Sequence, residues 1–384
     1  MIKVAVIGSR DGGYLIEQIN EKARNIYEVV ALGDNNDSLW GKPIENLRVC
    51  SVDEIIKQYL NGCIERIIVA VRKGYSRFQI IRQLKEKGIK RIRCIKPGPL
   101  TYRRPIVFEK GSQLYSRQWM DLDKTDKPII HHLEINIADG CNLNCKGCLH
   151  FSSLFNKNEF PDEEELLISI QKVASKCEIF QFRVLGGEPL LYPGLEAFLV
   201  KLRTVLPYTD LAVISNGILI PKMPESLFEV MKENDIGFNL TLYPPTLKMK
   251  ESIYKTLDSA GVAYGSHEAR TDRFERFLMR EPSAIDTKPY EVCVPRGILV
   301  IRGKCIYRCP VEAYINRYYK AFKIERTSPE GIDVNNDNHN WSELIDDLYT
   351  KPHELCAFCS SKSEYYEWSN GNSRMEDWLI ANEE

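Results

Sequence analysis

Three cysteines fall within eight residues, Cys141-Asn142-Leu143-Asn144-Cys145-Lys146-Gly147-Cys148, spaced C-x3-C-x2-C directly after an extended segment from His132 to Ile137. Three thiolates can fill three iron sites of a [4Fe–4S] cluster and leave the fourth iron open to a small molecule that binds through an amino and a carboxylate group. A zinc site is the competing reading, although zinc prefers four ligands in C-x2-C pairs. A second group lies in the tail: Cys293, Cys305 and Cys309, then Cys356 and Cys359. Cys50, Cys63, Cys94 and Cys177 stand apart in apolar or helical contexts and read as inert core thiols.

The elements that must position these residues are legible as an α/β pattern. Residues 1–97 alternate strand and helix: Ile2 to Ile7, a glycine-rich turn at Gly8, Gly12 and Gly13, a helix from Tyr14, and a second strand, Tyr27 to Leu32, ending at Gly33-Asp34. That is the pattern of a Rossmann-like, doubly wound parallel sheet, whose ligands bind at the carboxyl ends of the strands. Gly8, Gly12 and Gly13 are placed to let backbone amides meet a phosphate, and Asp34 to accept a bond from a sugar or ribose hydroxyl. Pro97-Gly98-Pro99 breaks the alternation, and residues 98–128, charged and irregular, read as a linker.

From residue 129 to 285 strand–helix units resume, and each strand end carries a suspect motif: the cysteine loop, then Gly186-Gly187-Glu188-Pro189, then Ser215-Asn216, then Tyr243-Pro244-Pro245. Parallel barrels put their chemistry in loops at such ends. The segment is too short for eight units, so the expectation is a central partial (β/α)6 TIM-type barrel. Residues 286–384 hold a hairpin signal around Arg302-Gly303-Lys304, with Cys293 before it and Cys309 after it.

Composition narrows the partners. The 384 residues suggest two or three domains, and 43% hydrophobic content can build their cores. Lys plus Arg (52) balances Asp plus Glu (53), so neither nucleic acid nor an anionic membrane is favoured. The opening Met1-Ile2-Lys3-Val4-Ala5-Val6-Ile7-Gly8 has no cleavage site of a signal peptide and no apolar run is long enough to span a bilayer, so a cytoplasmic location is expected. Thiols are kept reduced there, and twelve cysteines are better explained by metal than by disulfides.

The cysteine loop followed one strand later by Gly186-Gly187-Glu188-Pro189 resembles the radical S-adenosylmethionine (SAM) superfamily. The resemblance implies a SAM-binding [4Fe–4S] cluster on Cys141, Cys145 and Cys148. It implies SAM contacts at Gly186, Gly187, Glu188, Pro189, Ser215 and Asn216, and a flavodoxin- or ferredoxin-type reductant. The chemistry it implies is reductive cleavage of SAM to a 5'-deoxyadenosyl radical that abstracts hydrogen. One departure stands out: Gly147 occupies the place where the superfamily often has an aromatic residue. The tail resembles the SPASM/Twitch extension, which implies an auxiliary [4Fe–4S] cluster on Cys293, Cys309, Cys356 and Cys359; from the ligands alone, a zinc ribbon is equally compatible. Cys305 is left over as a candidate hydrogen donor or a plain core thiol. Residues 1–97 resemble the N-terminal domain of bacterial sugar-pathway acetyltransferases, which implies a carbohydrate or nucleotide-sugar substrate. Dehydrogenation and epimerisation in glycan biosynthesis are then the expected outcomes. A peptide-modifying maturase and a non-catalytic scaffold are the alternatives.

Overall fold

The computed structural model describes residues 1–267, 272–279, 288–293 and 295–380. The chain divides into two compact units, Met1–Lys127 with Pro207–Asp210, and Pro128–Leu206 with Leu211–Glu384.

The first unit is built on seven strands: β1 (Ile2–Ile7), β2 (Tyr27–Asp34), β3 (Pro43–Ile44), β4 (Leu47–Ser51), β5 (Arg66–Val69), β6 (Ile92–Ile95) and β7 (Trp119–Asp121), in the order β3-β4-β2-β1-β5-β6-β7. The five central strands run parallel and reverse their order between β1 and β5. Helices α1 (Ser9–Lys22), α2 (Val52–Leu60) and α3 (Gly74–Glu86) make the crossovers. The strands are near-continuous apolar runs because a parallel sheet is covered on both faces; Val4, Ala5, Val6, Ile7, Ile67, Ile68 and Val69 are fully buried.

Residues 98–128 are not a linker. Pro97 opens helix α4 (Pro97–Tyr102), because proline is tolerated where the helix has no donor to lose. After α5 (Gln113–Gln118), β7 adds antiparallel to β6. The Arg93 guanidinium, 1% exposed, is clamped by the Asp121 carboxylate on β7, Nη2 to Oδ2 at 2.9 Å. The proline-rich break thus starts an edge to the same sheet.

The second unit contains a short parallel pair, β8 (Ile129–Ile130) with β10 (Glu178–Ile179), and a larger sheet. In the latter, β9 (Leu133–Ala138), β11 (Gln181–Gly186), β12 (Asp210–Ser215), β13 (Ile236–Thr241) and β14 (Tyr264–His267) are successive neighbours. Helices α6 (Glu163–Lys176), α7 (Leu195–Val205), α8 (Glu225–Glu233) and the pair α9 (Pro244–Leu247) and α10 (Lys250–Ala260) fall between them in the chain. This is the succession of a partial barrel. The acidic first turn of α6 is a capped start, with the Asp162 carboxylate accepting from Glu165 N at 2.9 Å.

The tail does not stand apart from this sheet. After β15 (Arg273–Leu278) and a short helix α11 (Lys288–Val292), β16 (Leu299–Arg302) pairs parallel with β9 on its other side. Strands β17 (Cys305–Tyr307) and β18 (Ile332–Asp333) extend it antiparallel. The hairpin turns on Gly303-Lys304, with Arg302 opposite Cys305. Helix α12 (Pro310–Ala321), helix α13 (Trp341–Thr350) and the strand β19 (Cys359–Glu367), antiparallel to β15, complete the unit. Sheet order therefore joins the 129–285 and 286–384 segments, which the sequence pattern separates.

Candidate functional site

The cysteine loop leaves β9 at the end of the barrel where parallel strands finish. Cys141 and Cys145 are 9% and 7% exposed and Cys148 is half-buried. N–H donors point at the sulfurs: Leu143 N to Cys141 Sγ at 3.5 Å, the Asn216 amide to Cys141 Sγ at 3.8 Å, and the Trp368 indole Nε1 to Cys145 Sγ at 3.2 Å. Burial pushes the Cys141 thiol up to about 12, with the Glu188 carboxylate and the Cys148 thiolate adding to it; Cys145 is raised by the same burial and by Cys148. Such thiols are neutral until a metal displaces their protons. Three neighbouring sulfurs, two of them buried and accepting N–H bonds, fit a thiolate-bound iron–sulfur cluster. Among the described residues no three His, Cys, Asp or Glu side chains are arranged to hold a single metal ion.

The motif on the next strand end braces this loop. A Cβ on Gly186 would lie 2.0 Å from Ala138 O, and one on Gly187 would lie 2.1 Å from Gly140 O. The two glycines are thus demanded by the close approach of β11 to the root of the cysteine loop. Glu188 is fully buried and accepts three bonds, from Ser215 Oγ (2.8 Å), Asn216 N (3.0 Å) and Leu190 N (3.2 Å). Burial still holds its carboxyl at about 7. Pro189 begins a single 3-10 turn. Asn216 spends its own amide on the loop, donating to Asn142 Oδ1 at 2.8 Å, and accepts from Ile218 N at 3.0 Å. The expected SAM residues are therefore gathered within reach of Cys141, tied together by bonds among themselves.

Beside them, the strand β9 and the residues flanking it carry polar side chains. His132 Nε2 lies 2.7 Å from Glu134 Oε1, and although burial alone would raise the Glu134 carboxyl, His132 holds it below the usual carboxylate range. Asn136, 3% exposed, has neither amide atom bonded among the described residues. Asp139 takes both Arg302 nitrogens, at 2.8 and 3.2 Å.

The tail thiols lie close enough to feel one another's charge. Cys309 caps α12 and accepts from Glu312 N at 3.4 Å, Cys356 accepts from His353 N at 3.3 Å, and Cys359 opens β19. Burial raises all four thiols; the charges of Cys356 on Cys293, of Cys359 and Cys293 on Cys309, and of Cys293 and Cys356 on Cys359 add to it. The set is chemically suited to a second thiolate-bound centre.

Other expectations are met differently. Cys305 lies on the hairpin beside Asp333, Lys304 and Glu165, which with burial set its thiol; the charges that raise Cys141 and Cys145 are those of other groups. It has the surroundings of a hairpin thiol. In the first unit, a Cβ on Gly8, at φ +108°, would lie 2.4 Å from Ala70 O, and one on Gly12 2.9 Å from Val6 Cγ1. Asp34 is engaged by Ser9, from both N (2.8 Å) and Oγ (2.6 Å). The glycines and the acid at that strand end are thus used in closing the turn on itself. Cys63 is exposed, unlike a core thiol.

Tyr243 is marked in the sequence by its place at a strand end, but Trp368 and Tyr366 carry no local sign of being neighbours of the loop. Tyr243 stacks on Trp368 with centroids 6.1 Å apart and planes 21° from parallel. Burial and the neighbouring cysteine thiolates raise its phenol well above the usual value. Trp368 is 223 residues from Cys145, so only the fold could bring it there.

Comparison with known proteins agrees with the core of the site. Residues 135–256 match the model of the radical SAM superfamily. The curated GTP 3',8-cyclase of Nostoc sp. is 31% identical over 103 residues, 26% of this chain and 31% of the relative. That of Helicobacter pylori is 32% identical over 104 residues, with the same coverage. The chain thus spans about a third of the length of these relatives. Among solved structures, BtrN in complex with AdoMet and 2-DOIA is similar over 62% of this chain and 94% of that one, at 15% identity and TM-score 0.38. At that score the likeness carries no argument about this chain. Over residues 135–256 this chain carries a radical SAM domain, of the superfamily that works with a [4Fe–4S] cluster and SAM.

Proposed function

We propose that this protein is a radical SAM enzyme that takes hydrogen from a carbohydrate or nucleotide sugar and oxidises it, with the cluster on Cys141, Cys145 and Cys148 and a second one on Cys293, Cys309, Cys356 and Cys359. When bound, the first cluster and SAM supply a carbon radical able to break an unactivated C–H bond. The chain's own residues orient and shield. Asn216 and Glu188 fix the loop, and Tyr243 and Trp368 wall it from water.

The observation that carries the reading is the gathering of two thiol groups within one compact unit. Oxidation of a substrate radical needs a one-electron acceptor, and the four tail thiols are the residues that would hold one. Epimerisation would need a hydrogen donor, and the setting of Cys305 gives it no support in that role. The carbohydrate is supported by strand β9, where a buried carboxamide with both atoms unbonded offers a donor and an acceptor together, as neighbouring hydroxyls require.

Anaerobic reconstitution tests the reading: two four-iron cubes predict about eight irons and eight sulfides per chain. Reduced enzyme given SAM and C-deuterated nucleotide sugars should yield deuterated 5'-deoxyadenosine and a keto sugar. Zinc in place of half the iron would sink the second cluster. Absence of deoxyadenosine under every reductant would leave a scaffold, and turnover of a peptide alone would transfer the assignment to peptide maturation.

A further inference from the structure

The departure at Gly147 has a structural counterpart far along the chain. Gly147 sits at φ +67°, and a Cβ there would lie 2.0 Å from Tyr366 Oη and 2.6 Å from Asp377 O. The space that a side chain would claim is filled by the C-terminal segment. That segment is laced to the loop: Lys146 N donates to Ser369 O (3.0 Å), Gly371 N to Asn144 O (3.1 Å), Tyr366 Oη to Lys146 O (2.9 Å) and Trp378 Nε1 to Cys148 O (2.9 Å). Asn370 forms an antiparallel bridge with Cys145. In the middle of these contacts the Trp368 indole donates to Cys145 Sγ at 3.2 Å and stacks on Tyr243.

We propose that residues 366–378 are a built-in cap of the first cluster, in which Trp368 is a positioning residue that supplies the aromatic wall absent at Gly147 and an N–H bond that raises the cluster's reduction potential. This rests on the reading that Cys141, Cys145 and Cys148 hold a cluster. Two physical facts carry it. An indole N–H is a donor and never an acceptor, so the contact with sulfur has one polarity. Donors to cluster sulfurs stabilise the more negative, reduced state, and hydrogen bonding to the sulfurs is one of the terms that set the potential. The backbone bonds around Trp368 hold its ring in place, so the donor is oriented before iron arrives.

The test uses the full chain reconstituted anaerobically, reading the potential of the cluster whose electron paramagnetic resonance signal changes when SAM is added. Trp368→Phe keeps an aromatic ring and removes the donor; it should load the same iron but become reduced only at a lower potential. Trp368→His restores a ring N–H and should bring the potential back toward that of the unmodified protein. Equal potentials in Trp368→Phe and the unmodified protein would overturn the role. If Trp368→Phe loads less iron, recovery of loading and potential in Trp368→His supports the bond, and failure to regain either refutes it. A wild-type chain with no SAM-responsive signal would instead bring down the cluster reading itself.

Discussion

Gly147→Ala is a single methyl group with a large expected consequence. The left-handed backbone at φ +67° costs a residue with a Cβ roughly 1–2 kcal/mol. The new carbon would lie 2.0 Å from Tyr366 Oη, which could rotate away, but also 2.6 Å from the backbone oxygen of Asp377, which could not. The C-terminal segment must therefore shift, losing the two bonds of Tyr366 Oη, to Lys146 O and Asp377 O at 2.9 and 3.1 Å. At about 1 kcal/mol each, the sum is about 3–4 kcal/mol. For a unit of this size that corresponds to a melting temperature lower by roughly 10 °C, at about 2–4 °C per kcal/mol. Differential scanning calorimetry of the metal-free chain measures it, and iron retention after reconstitution should fall in parallel. A variant that melts and loads like the parent would refute the cap. A bulky aromatic, Gly147→Phe, should be worse still, although the superfamily resemblance would make it an innocuous change.

Three further outcomes follow from the contacts described. Asp121→Asn leaves the buried Arg93 guanidinium without its charge partner and should destabilise the first unit by about 3–5 kcal/mol in urea unfolding; an effect near zero would restore the linker reading of residues 98–128. Glu188, at about 7 when folded against an ordinary 4.5, binds more protons folded than unfolded between those values. Its contribution is therefore full below pH 4.5 and is lost as pH rises through 7, by about 3 kcal/mol at 1.36 kcal/mol per unit. Stability measured against pH in the parent and in Glu188→Gln should diverge by that amount, and parallel curves would refute the burial argument. Cys359→Ala should halve the iron from about eight to about four per chain and keep the SAM-responsive signal; loss of both signals would mean that the two thiol groups are not separate centres.

The chemistry of the site was legible because it is written in short-range spacing. Cysteines three and four apart in a loop after a strand must share one neighbourhood whatever the rest of the chain does, and Gly186 to Pro189 follow on the adjoining strand. The apolar runs of the parallel strands announced the sheets for the same local reason, since burial on both faces leaves no alternation to obscure them. What the glycines are for was not legible. A glycine-rich strand end reads as a seat for a ligand, whereas the need for glycine from close backbone approach, at Gly8, Gly186 and Gly187 toward Ala70 O, Ala138 O and Gly140 O, is visible only in the fold. The Pro97-Gly98-Pro99 break reads as a boundary because the same residues that follow the end of a strand, β6, open a helix, α4. Contacts of high sequence separation lie outside any local pattern. That β16 should join β9 across more than a hundred residues, and that Trp368 should close over Cys145, depends on which surfaces the folded unit leaves to be covered. The amino-acid order thus determined the donor atoms and the elements bearing them, through spacing and periodicity, while tertiary packing alone decided what shields those donors and which hydrogen bonds reach their sulfurs.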